Sequence, residues 1–123
     1  MDRNIKKFLF DISEAICRIE DYVGHPRIFA NYDSNRQLQQ AVERNLEIIG
    51  EAMKRILEID PNISISNSRR IVNARNRIIH GYDDIENVEV WSIIINNMPV
   101  LKQEVKMLFE SPTANPVESI RSE

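Results

Sequence analysis

The sequence predicts an all-α fold: an antiparallel up-and-down four-helix bundle with a short extra helix or turn and a kinked last helix. Three observations support this prediction. The 123 residues include only 3 Gly and 5 Pro, so turns are few and the elements between them are long. Apolar residues recur at spacings of three and four, as in amphipathic helices. No stretch of any length alternates apolar and polar residues as a half-buried strand would.

Four long helices follow in order along the chain, each with a recognisable end. Proline should kink or split the last of them at Pro99, because it lacks the amide donor and clashes with the preceding turn. A short helical turn or loop is expected over residues 27–35. Residues 1–110 then form a single helical domain, and residues 111–123 form a flexible polar tail. The predicted long helices are 2–23, stopped by Gly24 and Pro26; 36–58, ended by Asp60 and Pro61; 66 or 68 to 79, ended by Gly81; and 84 or 86 to 109.

Composition restricts the possible chemistry. The net charge of −3 argues against a protein that coats nucleic acid over its whole surface, but not against a local basic site. With one cysteine, an intrachain disulfide and a multi-cysteine zinc site are excluded. The histidines, His25 and His80, lie far apart in sequence, so we predict no metal and no cofactor, although carboxylates alone can hold Mg²⁺. Neither a signal peptide nor a long apolar run is present, so a cytoplasmic protein without membrane contact is expected.

The third helix is basic in an otherwise acidic chain. Arg69, Arg70, Arg75 and Arg77 fall close together, and no Asp or Glu occurs between Pro61 and Tyr82. We call residues 61–82 the basic island. Such a run usually marks a solvated charged face. Clustered arginines also suit phosphate oxygens, so the alternative is a phosphate-binding surface.

Arg75 projects from the middle of the apolar stripe formed by Ile71, Val72, Ile78 and Ile79. A buried guanidinium needs a partner or an opening to solvent. In a structural role, Arg75 would form a buried salt bridge or extend past the core residues to solvent. In a functional role, it would form the floor of a groove. Helix geometry alone does not separate these two alternatives. Asn45, in the apolar stripe of the second helix, could hold Arg75 or lie at an interface.

A second polar row of the third helix contains Arg69, Asn73, Asn76 and His80. A single histidine at a helix end is more often a capping residue than a catalyst, and a tyrosine such as Tyr82 just past the helix most often packs or lies at the surface.

The residues from Arg75 to Tyr82 read Arg-Asn-Arg-Ile-Ile-His-Gly-Tyr, which matches the pattern Arg-x4-His-x-Tyr with Asn directly after Arg. Together with residues 41–52 and 87–101, this run resembles the HEPN superfamily, specifically the HepT-like ribonuclease toxins. The likeness covers roughly residues 5–109.

The resemblance implies an all-helical homodimer whose motif lines a cleft at the dimer interface and which cleaves RNA without a metal. It implies a partner, an MntA-like nucleotidyltransferase antitoxin, which can modify the motif tyrosine, here Tyr82, by AMP addition. The motif carries over as Arg75 and His80 for catalysis, supported by Asn76 and Tyr82.

The chemistry of these side chains agrees with that role. Histidine can move the proton when a 2′-hydroxyl attacks the adjacent phosphate, and arginine can stabilise the negative charge that develops. Arg69, Arg70 and Arg77 would add affinity for RNA phosphates. We therefore predict a metal-independent endoribonuclease toxin of a toxin–antitoxin pair. The alternatives are a non-catalytic helical module that binds a nucleotide or a nucleotidyltransferase partner, and a purely structural bundle with Arg75 ion-paired in its core.

Overall fold

The computed structural model describes residues 2–81 and 85–110. Every regular element in these ranges is helical, which confirms the predicted all-α class. The described elements are α1 (Arg3–Val23), α2 (Phe29–Asp33), α3 (Arg36–Ile59), α4 (Ser68–His80), α5 (Asn87–Ser92), a π-helical segment (Ile93–Asn97) and α6 (Met98–Glu110).

The helix ends follow from local capping. The Asp2 carboxylate accepts the amide of Asn4 at 2.7 Å at the start of α1, and the Asn35 side chain accepts the amide of Leu38 at 3.0 Å at the start of α3. A short helical turn or loop is predicted over residues 27–35, and the structure has the helical form there, as α2. The predicted tail, residues 111–123, lies outside the described residues, as does Asp84.

The predicted interruption near Pro99 takes the form of a π-helical segment immediately before it. The Met98 amide donates to the carbonyl of Ile93, five residues earlier, instead of four. Proline supplies no amide to the ladder, and wider turns of this kind are found where the ladder has to be rearranged. α5, the π-helical segment and α6 therefore follow one another without a loop.

α3 lies at the centre of the bundle and packs against α1 on one side and α4 on the other. Cross-helix contacts join the neighbours: Arg18 meets Asn45, Arg75 lies against Gly50, and Lys102 meets Glu20. Contacts at two levels show an antiparallel pair, because Ser66, before α4, meets Glu104 of α6, whereas Arg77, near the end of α4, meets Glu89 of α5. This arrangement confirms the up-and-down bundle. The core is rich in isoleucine and includes Leu9, Ile12, Ile16, Ile19, Ile49, Met53, Ile56, Ile94 and Leu101, all at most 2% exposed.

Both ends of α4 have left-handed backbone. Asn67 precedes the helix with φ of 57°, and Gly81 follows it with φ of 65°, a conformation that glycine adopts without steric cost. Ser66 anchors the start of α4 to α6, since its amide and hydroxyl donate to the two carboxylate oxygens of Glu104 at 2.9 and 2.6 Å. The helix that carries the Arg-x4-His motif is thus fixed to the bundle at its first turn.

Candidate active site

Arg75 lies on the face of α4 that packs against α3, as the apolar stripe predicted. Its side chain is 17% exposed. Its Nη2 donates to Glu51 Oε1 at 2.6 Å, and its Nη1 donates to Asn76 Oδ1 at 2.9 Å. The guanidinium is therefore held from two directions, once by the neighbouring helix and once by the next residue of its own helix.

Gly50 makes this close approach possible. A Cβ atom at position 50 would overlap the Cβ of Arg75, lie 2.7 Å from its Cγ and lie 3.3 Å from the carbonyl oxygen of Ile71. No larger residue fits while α4 stays where it is. Glycine in the middle of a helix costs about 1 kcal/mol relative to alanine, so its presence here indicates a packing requirement.

Glu51 is the site residue that the sequence did not indicate. The sequence pattern places it on the acidic face of the second helix, which favours a solvated surface. Its side chain is 39% exposed, and its carboxylate in addition bridges two arginines. Arg55 Nε donates to Glu51 Oε2 at 2.8 Å, while Arg75 holds Oε1. The Arg55 hydrogen bond is the largest cause that lowers the pKa of Glu51, and the positive charge of Arg75 adds to it. The sequence did contain one signal for this position: Gly50, a glycine in the middle of a helix, directly precedes Glu51.

A groove of about 370 Å³ opens beside Arg75. Glu51 and Arg75 line it together with apolar residues from three helices, Phe8, Ile48 and Ile79. Ile79 was predicted within the buried stripe, but it is 42% exposed, because it lies at the edge of the groove. Both readings of Arg75 therefore hold at once: it is ion-paired, and it lines a groove.

His80 is the last residue of α4 and is exposed. Helix geometry places it about 7.5 Å along the axis and about 140° around it from Arg75. Asn76 is brought to Arg75 by the hydrogen bond already described. Tyr82 lies outside the described residues.

The other arginines of the basic island lie away from Arg75. Arg77 Nη1 donates to Glu89 Oε2 at 2.7 Å, and Arg70 Nη2 donates to Ser92 Oγ at 3.4 Å, so both face α5. Arg69 is exposed. Positions 70 and 77 fall roughly 140–160° from position 75 around the helix. The face of α4 that carries Arg75 therefore borders the groove, and the face that carries Arg70 and Arg77 does not. Their role in phosphate binding stays a prediction.

Asn45 is buried, at 5% exposure, as the apolar stripe of α3 indicated. Its Oδ1 accepts from Arg18 Nε at 2.8 Å, and its Nδ2 donates to the carbonyl of Ala41 at 2.9 Å. The suggestion that it holds Arg75 is therefore wrong. Its hydrogen bonds satisfy a buried amide and join α3 to α1.

No three His, Cys, Asp or Glu side chains come together as a candidate metal site in residues 2–81 and 85–110. In the same residues, no helix is both long enough and apolar enough to span a membrane.

The comparisons with known proteins define the class of this all-helical chain. The family model described as "Ribonuclease HepT-like" matches residues 12–108. The chain therefore belongs to the HepT-like ribonuclease family and is, by family, a ribonuclease.

Curated relatives agree with this assignment along nearly the whole chain. "Putative RNase MJ1380" of Methanocaldococcus jannaschii is 32% identical over 110 residues, which cover 86% of this chain and 97% of the relative. "Probable ribonuclease HepT" of Thermococcus cleftensis is 33% identical over 112 residues, which cover 88% and 98%. No solved structure gives a significant match.

Proposed function

We propose that this protein is a metal-independent endoribonuclease that cleaves RNA by attack of a 2′-hydroxyl on the adjacent phosphate. The observation that carries the proposal is Arg75, a largely buried guanidinium held at 2.6 Å by Glu51 beside an open groove, on the helix that ends in His80. Arginine forks match phosphate oxygens, and a histidine exchanges protons near neutral pH. These are the two groups that this reaction requires.

The proposed step needs one proton removed and one delivered. The 2′-oxygen loses its proton and bonds to phosphorus, the bond from phosphorus to the 5′-oxygen breaks, and the departing 5′-oxygen gains a proton. The products are a 2′,3′-cyclic phosphate and a 5′-hydroxyl. His80 takes part in these proton transfers, and Arg75 stabilises the charge that accumulates on the phosphate oxygens.

A homodimer would bring a second copy of each group to the site. Arg75 and His80 of one chain point in directions about 140° apart around α4, so a composite site built from two chains suits the chemistry. The groove beside Arg75 is lined by charged side chains together with apolar ones, and the exposed Ile79 at its edge offers apolar area for a partner copy. We propose that the two copies meet at this face.

The remaining motif residues have supporting roles in the proposal. Asn76 orients Arg75 through their 2.9 Å hydrogen bond. Tyr82 contacts an unstacked base of the RNA, and Arg69, Arg70 and Arg77 add phosphate affinity. AMP addition to Tyr82 would place a negative charge and bulk next to His80 and compete with the RNA phosphate.

We further propose that the protein acts in the cytoplasm as the toxin of a toxin–antitoxin pair with an MntA-like nucleotidyltransferase. Family membership supports this pairing. Growth arrest on expression of the chain alone, relieved by such a partner, is the expected result. Harmless expression together with saturable nucleotide binding and no cleavage would favour the non-catalytic module instead.

The test of the activity is cleavage of a single-stranded RNA by purified protein in the presence of EDTA. We expect wild type to cut it, and Arg75→Ala and His80→Ala to stop cleavage while both variants stay folded. The chain offers matched controls, since His25 is an exposed loop histidine and Arg3 is an exposed arginine of α1. His25→Ala and Arg3→Ala should cut like wild type. Full activity of either site variant would refute the assignment.

A further inference from the structure

Glu51 lies outside the Arg-x4-His motif, on a different helix, yet it makes the shortest hydrogen bond of the motif arginine. The distance from Arg75 Nη2 to Glu51 Oε1 is 2.6 Å. The Asn76 oxygen holds the other terminal nitrogen at 2.9 Å. A guanidinium has five N–H donors in a rigid plane, so fixing both terminal nitrogens fixes the direction of the donors that remain.

The carboxylate of Glu51 is itself held in place. Its second oxygen accepts from Arg55 Nε at 2.8 Å, within the same helix, so neither oxygen is left to rotate freely. The absence of a side chain at Gly50 brings α4 close enough for the contact. The pair is therefore supported by the helix packing and by the hydrogen bond from Arg55.

We propose that Glu51 is a positioning residue that orients Arg75 toward the phosphate during RNA cleavage. The proposal rests on the ribonuclease activity proposed above. Glu51 does not touch the reacting atoms. It acts through Arg75, by holding the guanidinium plane in one orientation beside the groove that both residues line.

Electrostatics separates this role from a merely structural one. Glu51 places a negative charge beside the groove, with its side chain 39% exposed, so it opposes RNA binding. A variant without this charge should therefore bind RNA more tightly, while its turnover falls because Arg75 loses its orientation. A residue that only stabilises the fold would lower the active fraction and leave KM unchanged.

The experiment compares kcat and KM of wild type, Glu51→Gln and Glu51→Ala on one fluorescent RNA oligonucleotide. Glu58→Ala is the matched control, because Glu58 is an exposed carboxylate on the same helix, two turns further along. We expect kcat of Glu51→Ala to fall about 10²-fold, the scale of a displacement near 1 Å at a reacting centre, with a KM lower than that of wild type. Glu51→Gln, which keeps an acceptor oxygen, should fall less, and Glu58→Ala should match wild type.

A second measurement keeps the inference testable if Glu51→Ala folds poorly. NMR signals of the Arg75 guanidinium should be resolved and slow to exchange in wild type, and should exchange faster in Glu51→Gln, whose neutral oxygen is a weaker acceptor. A wild-type kcat in Glu51→Ala, or an equally ordered guanidinium in Glu51→Gln, would overturn the positioning role alone. A wild-type protein that cuts no RNA would overturn the ribonuclease proposal and this role together.

Discussion

Replacing Gly50 with alanine tests how closely α3 must approach Arg75. The added methyl would overlap the Arg75 Cβ and lie 2.7 Å from its Cγ. A carbon–carbon contact needs about 3.5 Å, so α4 or the Arg75 side chain must shift by on the order of 1 Å. The higher helix propensity of alanine should raise the free energy of unfolding by about 1 kcal/mol. Overpacking at the contact should lower it by about 1–3 kcal/mol.

The two terms predict a small loss of stability and a large loss of activity. The unfolding free energy should fall by no more than about 2 kcal/mol, which leaves a domain of ordinary stability folded. Turnover of RNA should fall about 10²-fold, because the shift displaces Arg75, the group that we propose contacts the phosphate. Urea unfolding and an initial-rate cleavage assay measure the two quantities on the same preparation.

The control for Gly50→Ala is a variant that loses similar stability without moving Arg75. Ile49 is fully buried in the core, and Ile49→Val costs about 0.5–1.5 kcal/mol. We expect this variant to retain wild-type turnover. Wild-type turnover in Gly50→Ala, or an equal loss in both variants, would refute the requirement for close approach.

Three further predictions follow from individual side chains. The pKa of Glu51 is lowered in the folded protein, so its ion pairs stabilise the fold fully above the ordinary carboxyl pKa. This stabilisation is lost as the pH falls through the pKa of the folded state. Wild type should therefore lose more stability than Glu51→Gln when the pH is lowered below about 4.5. Equal losses would contradict the coupling. The Tyr32 hydroxyl is buried without a hydrogen-bond partner in the described part of the chain. Tyr32→Phe should therefore unfold at the same or a higher urea concentration than wild type. A clear loss of stability in this variant would show that the hydroxyl is hydrogen-bonded. Arg69→Ala should reduce the slope of log Kd against log salt for single-stranded RNA by about 0.7. Arg77→Ala should change this slope less, because the Arg77 side chain is already paired with Glu89. The reverse order of the two effects would contradict the ion-pair argument.

The long elements could be predicted from the sequence because each depends on its own residues. Apolar spacing, Gly24, Gly81 and the prolines are local signals, and α1, α3 and α4 begin and end within a residue or two of their predicted bounds. Pro99 indicated an interruption of the last helix. The π-helical form of that interruption depends on how the ladder is rearranged around the missing amide, which spacing does not specify.

The site was less predictable, because its key contacts join different helices. Arg75 could be placed on the buried face of α4, but its partner could not be chosen among the acidic residues of α3, which share the same sequence pattern. The choice of Glu51 depends on the close approach at Gly50. Asn45 was recognised as a buried polar residue, yet it bonds Arg18, because the face of α3 that carries it packs against α1.

The most direct test of the ribonuclease site is the identity of the RNA ends produced in the presence of EDTA. Attack by the 2′-hydroxyl predicts 2′,3′-cyclic phosphate and 5′-hydroxyl ends from wild type, and no cut RNA from His80→Ala or Arg75→Ala. Ends that carry a 5′-phosphate, or the same products at the same rate from either variant, would contradict the proposed roles of Arg75 and His80.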